Sequence, residues 1–246
     1  MKRQEDTIYR SKLIDLPTTS SSEKDAPDGN CRDKMLTWFF EIVDYFKYDK
    51  ETVEIAVNYV DRYDCQDRLD YQLTCMTALY TAVKIHERTA LHPKLVASLS
   101  QGQFTEQDLI QQERKLLHQL QWRLHPPTTL AFVREFLGWV PADQRQVVYE
   151  LAQVQLQHAW RLPRVVPAYT WAYAAVLNAL ESLHLSCCRI PMEFDQVVQT
   201  QAILYKAISG VSLKNALSKK RSIQKGMRVS QLATEGGSPR TVVVNH

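Results

Sequence analysis

The sequence predicts an all-α protein made of two similar five-helix units in tandem, and three observations carry that prediction. Apolar residues recur at helical period from about Arg32 to Ser209. Glycine, which is costly inside helices, occupies only seven positions: Gly29, Gly102, Gly138 and Gly210 fall between periodic segments, and the other three lie in the C-terminal tail. The order of helix lengths before Pro126-Pro127 is repeated after it.

Residues 1–30 read as a flexible segment, with a hydroxyl run at Thr18–Ser22 and turn-forming residues from Asp25 to Asn30. The first helix is expected over about Arg32–Lys47, with Met35, Trp38, Phe39, Ile42, Val43 and Phe46 on its apolar stripe. Asp49 is placed to cap the second, about Lys50–Tyr63, which carries Val53, Ala56, Val57 and Val60. The third, Leu69–Arg88, reads as the hub. Its stripe of Leu73, Met76, Leu79, Tyr80 and Val83 is flanked by the small Ala78 and Ala82, and only Thr74, Thr77 and Thr81 are polar through its middle. A helix with so little polar surface is expected to be contacted on several sides. It ends in charge, at Lys84, His86, Glu87 and Arg88. Pro93 can open a short fourth helix, through about Leu99, as its first residue. Thr105 begins the fifth as T-E-Q-D, a capping box ahead of Leu109, Leu116, Leu117 and Leu120. Pro126-Pro127 ends that run in a stiff connector.

After the connector, helices are expected at about Thr128–Leu137, Ala142–Trp160, Arg164–Leu183 and Asp195–Ser209, with a short turn near Pro191. At an offset of 93 residues, Arg68-Leu69 meets Arg161-Leu162, Tyr80 meets Tyr173 and Ala82 meets Ala175. Leu177 stands where Lys84 would be, so the charged end is not repeated. The chain divides accordingly into 1–30, 31–125, 126–209 and a basic, disordered tail, 210–246.

Composition narrows the function. A hydrophobic content of 45% suits a sizeable core in 246 residues, and no run of about 18 apolar residues predicts a membrane span. MKRQEDTIYR has no apolar signal core, so an intracellular chain is expected. Cys31, Cys65, Cys75, Cys187 and Cys188 include no C-x-x-C pair and read as reduced thiols, with no metal or cofactor implied. The net charge of +3 is uneven: seven Lys or Arg face one acid from Gly210 onward, which leaves −3 on the first 209 residues. Neither G-x-x-x-x-G-K nor G-x-S-x-G appears, and the seven histidines show no H-E-x-x-H spacing, so nothing marks an enzyme.

Four stretches in order resemble the cyclin family: R-x-x-x-L-x-W at Arg32, Leu36 and Trp38; AVNYVDRY at Ala56–Tyr63; AVKIHE at Ala82–Glu87; and QQERKLLHQLQW at Gln111–Trp122. The likeness covers nearly the whole body, Cys31 to Ser209, and Thr37-Trp38 with Leu120-Gln121-Trp122 is more similar to D-type than to mitotic cyclins. It implies two stacked cyclin boxes without an active site. The first box would bind and activate a cyclin-dependent protein kinase, as a heterodimer in cell-cycle control in nucleus and cytoplasm. Carried over by position, Lys84 and Glu113 match the lysine and glutamate that grip the kinase, and Ile85, Leu117, Trp122 and Leu124 match the apolar positions around them. On pattern alone, Lys84 and Glu113 would be solvated surface charges.

The family's substrate-docking patch, M-R-A-I-L, is matched by Cys31-Arg32-Asp33-Lys34-Met35, with Trp38, Glu41 and Gln72 at its other positions. Lys34 puts a charge where an apolar side chain belongs, so docking of R-x-L substrates is expected to be impaired. The L-x-C-x-E segment of many D-type cyclins is absent, and retinoblastoma-type partners do not follow. A second reading keeps the fold but binds nucleic acid, as B-type general transcription factors do. The acidic body and the lack of zinc-ribbon cysteines ahead of the boxes speak against it. Three short signals complete the reading. Arg10-Ser11-Lys12-Leu13 fits the R-x-x-L core of a destruction box, Lys219-Lys220-Arg221 suits nuclear import or a solvated tail, and Ser238-Pro239 suits phosphorylation or a turn.

Overall fold

The hub helix, α3 (Arg68–His86), is buried around its whole circumference from Thr74 to Val83. The computed structural model describes Lys2 and residues 29–162, 166–185 and 194–209, and all regular structure among them is helical. Around α3 pack α1 (Gly29–Phe46), α2 (Lys50–Arg62), α4 (Pro93–Ser98) and α5 (Glu106–Gln119). Asp67 caps α3 by accepting the Leu69 and Asp70 amides at 2.8 Å. Asp49 caps α2, and Thr105 with Asp108 forms the expected reciprocal capping box on α5.

Each fully buried apolar side chain of α3, such as Leu79 or Val83, contributes roughly 1.5–3 kcal/mol. Its threonines are buried too, and each hydroxyl is bonded. Thr74 accepts from Gln112 Nε2 at 2.8 Å and Thr77 donates to the Leu73 carbonyl at 2.7 Å.

In the second half, α6 (Thr129–Phe136) is followed by a 3-10 turn (Leu137–Trp139), α7 (Arg145–Ala159), α8 (Ala168–Ser182) and α9 (Phe194–Ser209). Here α8 takes the central place, against α6 and α7. Its polar residues are satisfied internally: Asn178 donates to Gln155 and accepts from Gln201, both at 3.0 Å.

Several boundaries differ from expectation. α1 begins at Gly29, ahead of Arg32. α7 begins at Arg145 rather than Ala142, because Pro141–Gln144 closes a turn through the Gln144 amide and the Pro141 carbonyl. α8 begins at Ala168 rather than Arg164, since Pro167 disfavours helical geometry in the residue before it. The turn near Pro191, Cys187 and Cys188, and the short signals at Arg10–Leu13, Lys219–Arg221 and Ser238-Pro239 all lie outside the described residues. Cys31, Cys65 and Cys75 form no disulfide among the described residues. Burial pushes the Cys65 thiol up to about 12 and raises Cys75 as well, which leaves both protonated and unreactive. No described helix is long and apolar enough to cross a membrane.

Polar contacts from α1 and α2 join the halves. Arg32 bonds Asp61 through both terminal nitrogens, and its Nη2 also donates to the Trp160 carbonyl at 3.2 Å and the Leu162 carbonyl at 3.5 Å. Burial works against the Arg32 charge, and Asp61 more than restores it. Arg161 pairs with Asp33, and Phe40 stacks on Trp160 with centroids 6.1 Å apart. Glu54, fully buried on α2, accepts the Thr129 amide at 2.7 Å and its hydroxyl at 2.8 Å, so it closes the first turn of α6 from the other half. Glu51 bonds Thr128 and receives Arg134 at 2.8 Å.

Candidate protein-interaction site

Lys84 follows Val83, the last fully buried residue of α3, and projects from the point where the helix leaves the core. That end is fixed by Glu87, which accepts the Asp49 amide at 2.9 Å and the Thr52 hydroxyl. Glu113 sits one turn before the buried Leu116 on α5, on the face turned to α3. The ammonium therefore meets both carboxylate oxygens, at 3.1 and 3.2 Å. Thr81 adds a hydroxyl at 3.4 Å, and the Tyr80 ring lies 5.5 Å from the Lys84 nitrogen. The Lys84 side chain keeps 49% exposure against 11% for Glu113. Partial burial opposes the Lys84 charge, but the Glu113 bond and charge outweigh it and hold the ammonium's pKa above its ordinary value.

The apolar residues assigned around this pair come from two places. Ile85 is exposed beside Lys84, and Leu117 is half-buried on α5. Trp122 and Leu124 belong to the turn after α5, where Gln121 and Trp122 both take left-handed backbone angles, at φ 51° and 59°. That conformation is uncommon for any residue with a side chain and an outlier for a bulky one. It leaves the Trp122 ring 71% exposed while its amide donates to the Leu117 carbonyl at 3.1 Å.

Three residues to which the sequence assigned no role at this turn hold it. Arg62 donates to the carbonyls of Leu120 at 3.0 Å and Arg123 at 2.9 Å. The Tyr59 hydroxyl donates to the Leu124 carbonyl, and His86 Nε2 lies 3.0 Å from the same oxygen. Loss of water around the His86 ring lowers its pKa, the Leu124 carbonyl offsets part of this, and the neighbouring His125 adds to it. All three sit inside the motifs AVNYVDRY and AVKIHE, but their long-range bonds leave no local signal.

Of the docking-patch positions, Lys34 and Glu41 are exposed on α1, while Cys31, Met35 and Trp38 are half-buried. Gln72, on α3, donates to Gln103 at 2.8 Å, and Cys31 accepts from Arg68 at 3.1 Å. No group of three His, Cys, Asp or Glu side chains converges to hold a metal among the described residues. The α3–α5 corner offers instead a charged pair with spare bonding capacity and an apolar margin, which suits contact with another protein.

The comparisons with known proteins agree with the fold. A viral cyclin from herpesvirus saimiri superposes with a TM-score of 0.63 at 20% identity, over 75% of this chain and 86% of its own. Cyclin-A2-1 of Arabidopsis thaliana is 26% identical over 152 residues, 59% of this chain and 34% of the relative. Cyclin-A3-1 of Oryza sativa subsp. japonica is 23% identical over 206 residues, 82% of this chain and 49% of the relative. The chain thus spans between a third and a half of these plant cyclins. Both of these relatives are of A type; the D-type likeness is read from Thr37-Trp38 and Leu120–Trp122. The family model for the cyclin N-terminal domain matches residues 3–125, half of the chain and all of the α3–α5 corner, and on that match the chain belongs to the cyclin family.

Proposed function

We propose that this chain is a non-catalytic regulatory subunit that binds and activates a cyclin-dependent protein kinase in cell-cycle control. The observation that carries the proposal is the half-exposed Lys84 ammonium bonded to both oxygens of the mostly buried Glu113; Ile85, Leu117, Trp122 and Leu124 are taken as the apolar positions of the same contact. An ammonium held at fixed geometry keeps a donor for a partner's carbonyl, and its carboxylate keeps lone pairs for a partner's amides. Bonds of this charged kind contribute roughly 1.5–3 kcal/mol net.

In this reading the corner holds the kinase's mobile C-helix inward. The kinase's own Lys–Glu ion pair then forms and its activation loop rearranges. The cyclin contributes no reacting group; it shifts the population of a bistable element in its partner. Residues 31–125 and 126–209 act as the two boxes, α1 offers a substrate-docking face on the first, and the heterodimer works in nucleus and cytoplasm. The test is a pull-down with the full chain from its native cell extract, followed by a kinase assay on the eluate. Recovery of a kinase that the chain stimulates, and that Lys84→Ala fails to recover, is expected. Recovery of nucleic acid, or of no kinase, overturns the proposal.

A further inference from the structure

We infer that Arg62, the last residue of α2, is a positioning residue for the proposed kinase contact: its guanidinium brackets Gln121 and Trp122 and fixes where the Trp122 ring stands. The inference rests on the reading of the α3–α5 corner as that contact, and adds a residue that acts through Trp122 rather than by touching the partner. At the end of α5 the Gln121 amide donates to the His118 carbonyl at 3.0 Å and the Trp122 amide to the Leu117 carbonyl at 3.1 Å. This is the Schellman form of helix end, whose left-handed position usually takes glycine because a side chain there is crowded. Here glutamine takes it, and tryptophan extends the left-handed run by a second residue. A bulky side chain in that conformation persists only where its surroundings hold it.

Arg62 supplies that hold from a different element. Its Nη2 donates to the Leu120 carbonyl at 3.0 Å and its Nη1 to the Arg123 carbonyl at 2.9 Å. These are the carbonyls on either side of the left-handed pair. Asn58, one turn back on α2 and buried, accepts from Nη1 at 3.4 Å and steadies the fork. A planar guanidinium can bind two carbonyls at once, whereas a lysine ammonium would reach one. Leu124, the other apolar position in this turn, is held separately by Tyr59 and His86. Loss of Arg62 therefore frees Gln121 and Trp122 to return to negative φ, which turns the exposed Trp122 side chain away while Leu124 stays. A ring fixed before the partner arrives spares the complex the cost of ordering it.

The test is a double-mutant cycle on the full chain, titrated with the kinase that the pull-down recovers, at a temperature well below every variant's melting point. Arg62→Ala is expected to weaken binding about tenfold in the wild-type background and less than about twofold in a Trp122→Ala background, since a ring that is absent cannot be misplaced. Arg62→Lys, a milder change that keeps the charge, is expected to fall between wild type and Arg62→Ala and to show the same dependence on Trp122. Adding Gln121→Gly to Arg62→Ala is expected to restore part of the lost affinity, because glycine takes the left-handed angle unaided. A purely structural role would lower the melting point and leave the affinity of the folded chain unchanged. That result, an Arg62 effect equally large with and without Trp122, or a Gln121→Gly that restores nothing overturns the inference and leaves the kinase reading in place. A wild-type chain that binds no kinase overturns the inference and that reading together.

Discussion

Arg32–Asp61 and Lys84–Glu113 are both cation–carboxylate pairs, and all four residues lie in the motifs shared with cyclins. They differ in how much water the cation keeps. The Arg32 side chain is 14% exposed, and its terminal nitrogens are committed to Asp61 and to two carbonyls of the second half. Lys84 keeps about half of its surface. The first pair has both terminal nitrogens engaged within the molecule, with only the buried Arg32 Nε lacking a partner among the described residues, and it acts as a clasp at the junction of the halves. The second is fixed in geometry but incomplete in bonding, which is the condition for meeting a partner. In the proposed function, what separates the structural ion pair from the one assigned to binding is the cation's remaining access to solvent, not the presence of the pair.

The sharpest way to break this comparison is to remove one carboxylate from each pair. Asp61→Ala leaves a buried guanidinium without its counter-ion and is expected to destabilise the fold by about 3–5 kcal/mol, read as an unfolding midpoint in denaturant. Lys84→Ala and Glu113→Ala are expected to cost about 2–5 kcal/mol in kinase affinity, measured by titration. Their thermal melts should move little, since a pair with an exposed cation contributes about 0–1 kcal/mol to stability. If Lys84→Ala unfolds as readily as Asp61→Ala, or binds as tightly as wild type, the distinction fails.

Two smaller effects sharpen it. Lys34→Ile, at the proposed docking face, is expected to raise R-x-L peptide affinity several-fold in a titration and leave kinase affinity unchanged. The gain comes from apolar area that a lysine stem does not supply, a fraction of the roughly 1.5–3 kcal/mol of a buried leucine. The smallest effect concerns pH. Since the His86 pKa is lowered from 6.5 in the folded chain, the unfolded chain binds the proton more readily. The stability His86 contributes is present above pH 6.5 and is lost as pH falls from there through the lower folded value. Thermal melts at about pH 7.5 and about pH 5.5 should therefore separate, and His86→Gln, which removes the titration, should narrow the gap. His158, also lowered by burial, will retain part of it.

The hub helix was legible because its signal is short-range: one apolar period, small flanking residues and a charged end all lie within twenty residues or so of each other. The caps at Asp49 and Thr105 were legible for the same reason. The starts of α7 and α8 were not, because Pro141 and Pro167 act on their neighbours' backbones while the apolar pattern runs on through them. Lys84 and Glu113 lie 29 residues apart, and periodicity alone placed them as solvated charges; only the family resemblance brought them together. The bonds that join the halves, such as Glu51 to Arg134 and Arg32 to the Trp160 carbonyl, span 83 and 128 residues and leave no trace in local pattern.

Glu54 carries a consequence for modular exchange. Its carboxylate is enclosed in the first half, yet two of its hydrogen bonds come from Thr129, beyond the Pro126-Pro127 connector. A cut at the connector would strip those donors from an interior anion, and the loss of hydrogen bonds to a buried charge is more costly than the loss of any surface contact. The α1–α5 half is therefore not an autonomous unit that can be transplanted or recombined freely. A chimera with a relative's second half keeps this fold when the incoming segment brings a helix start that places an amide and a hydroxyl at Glu54.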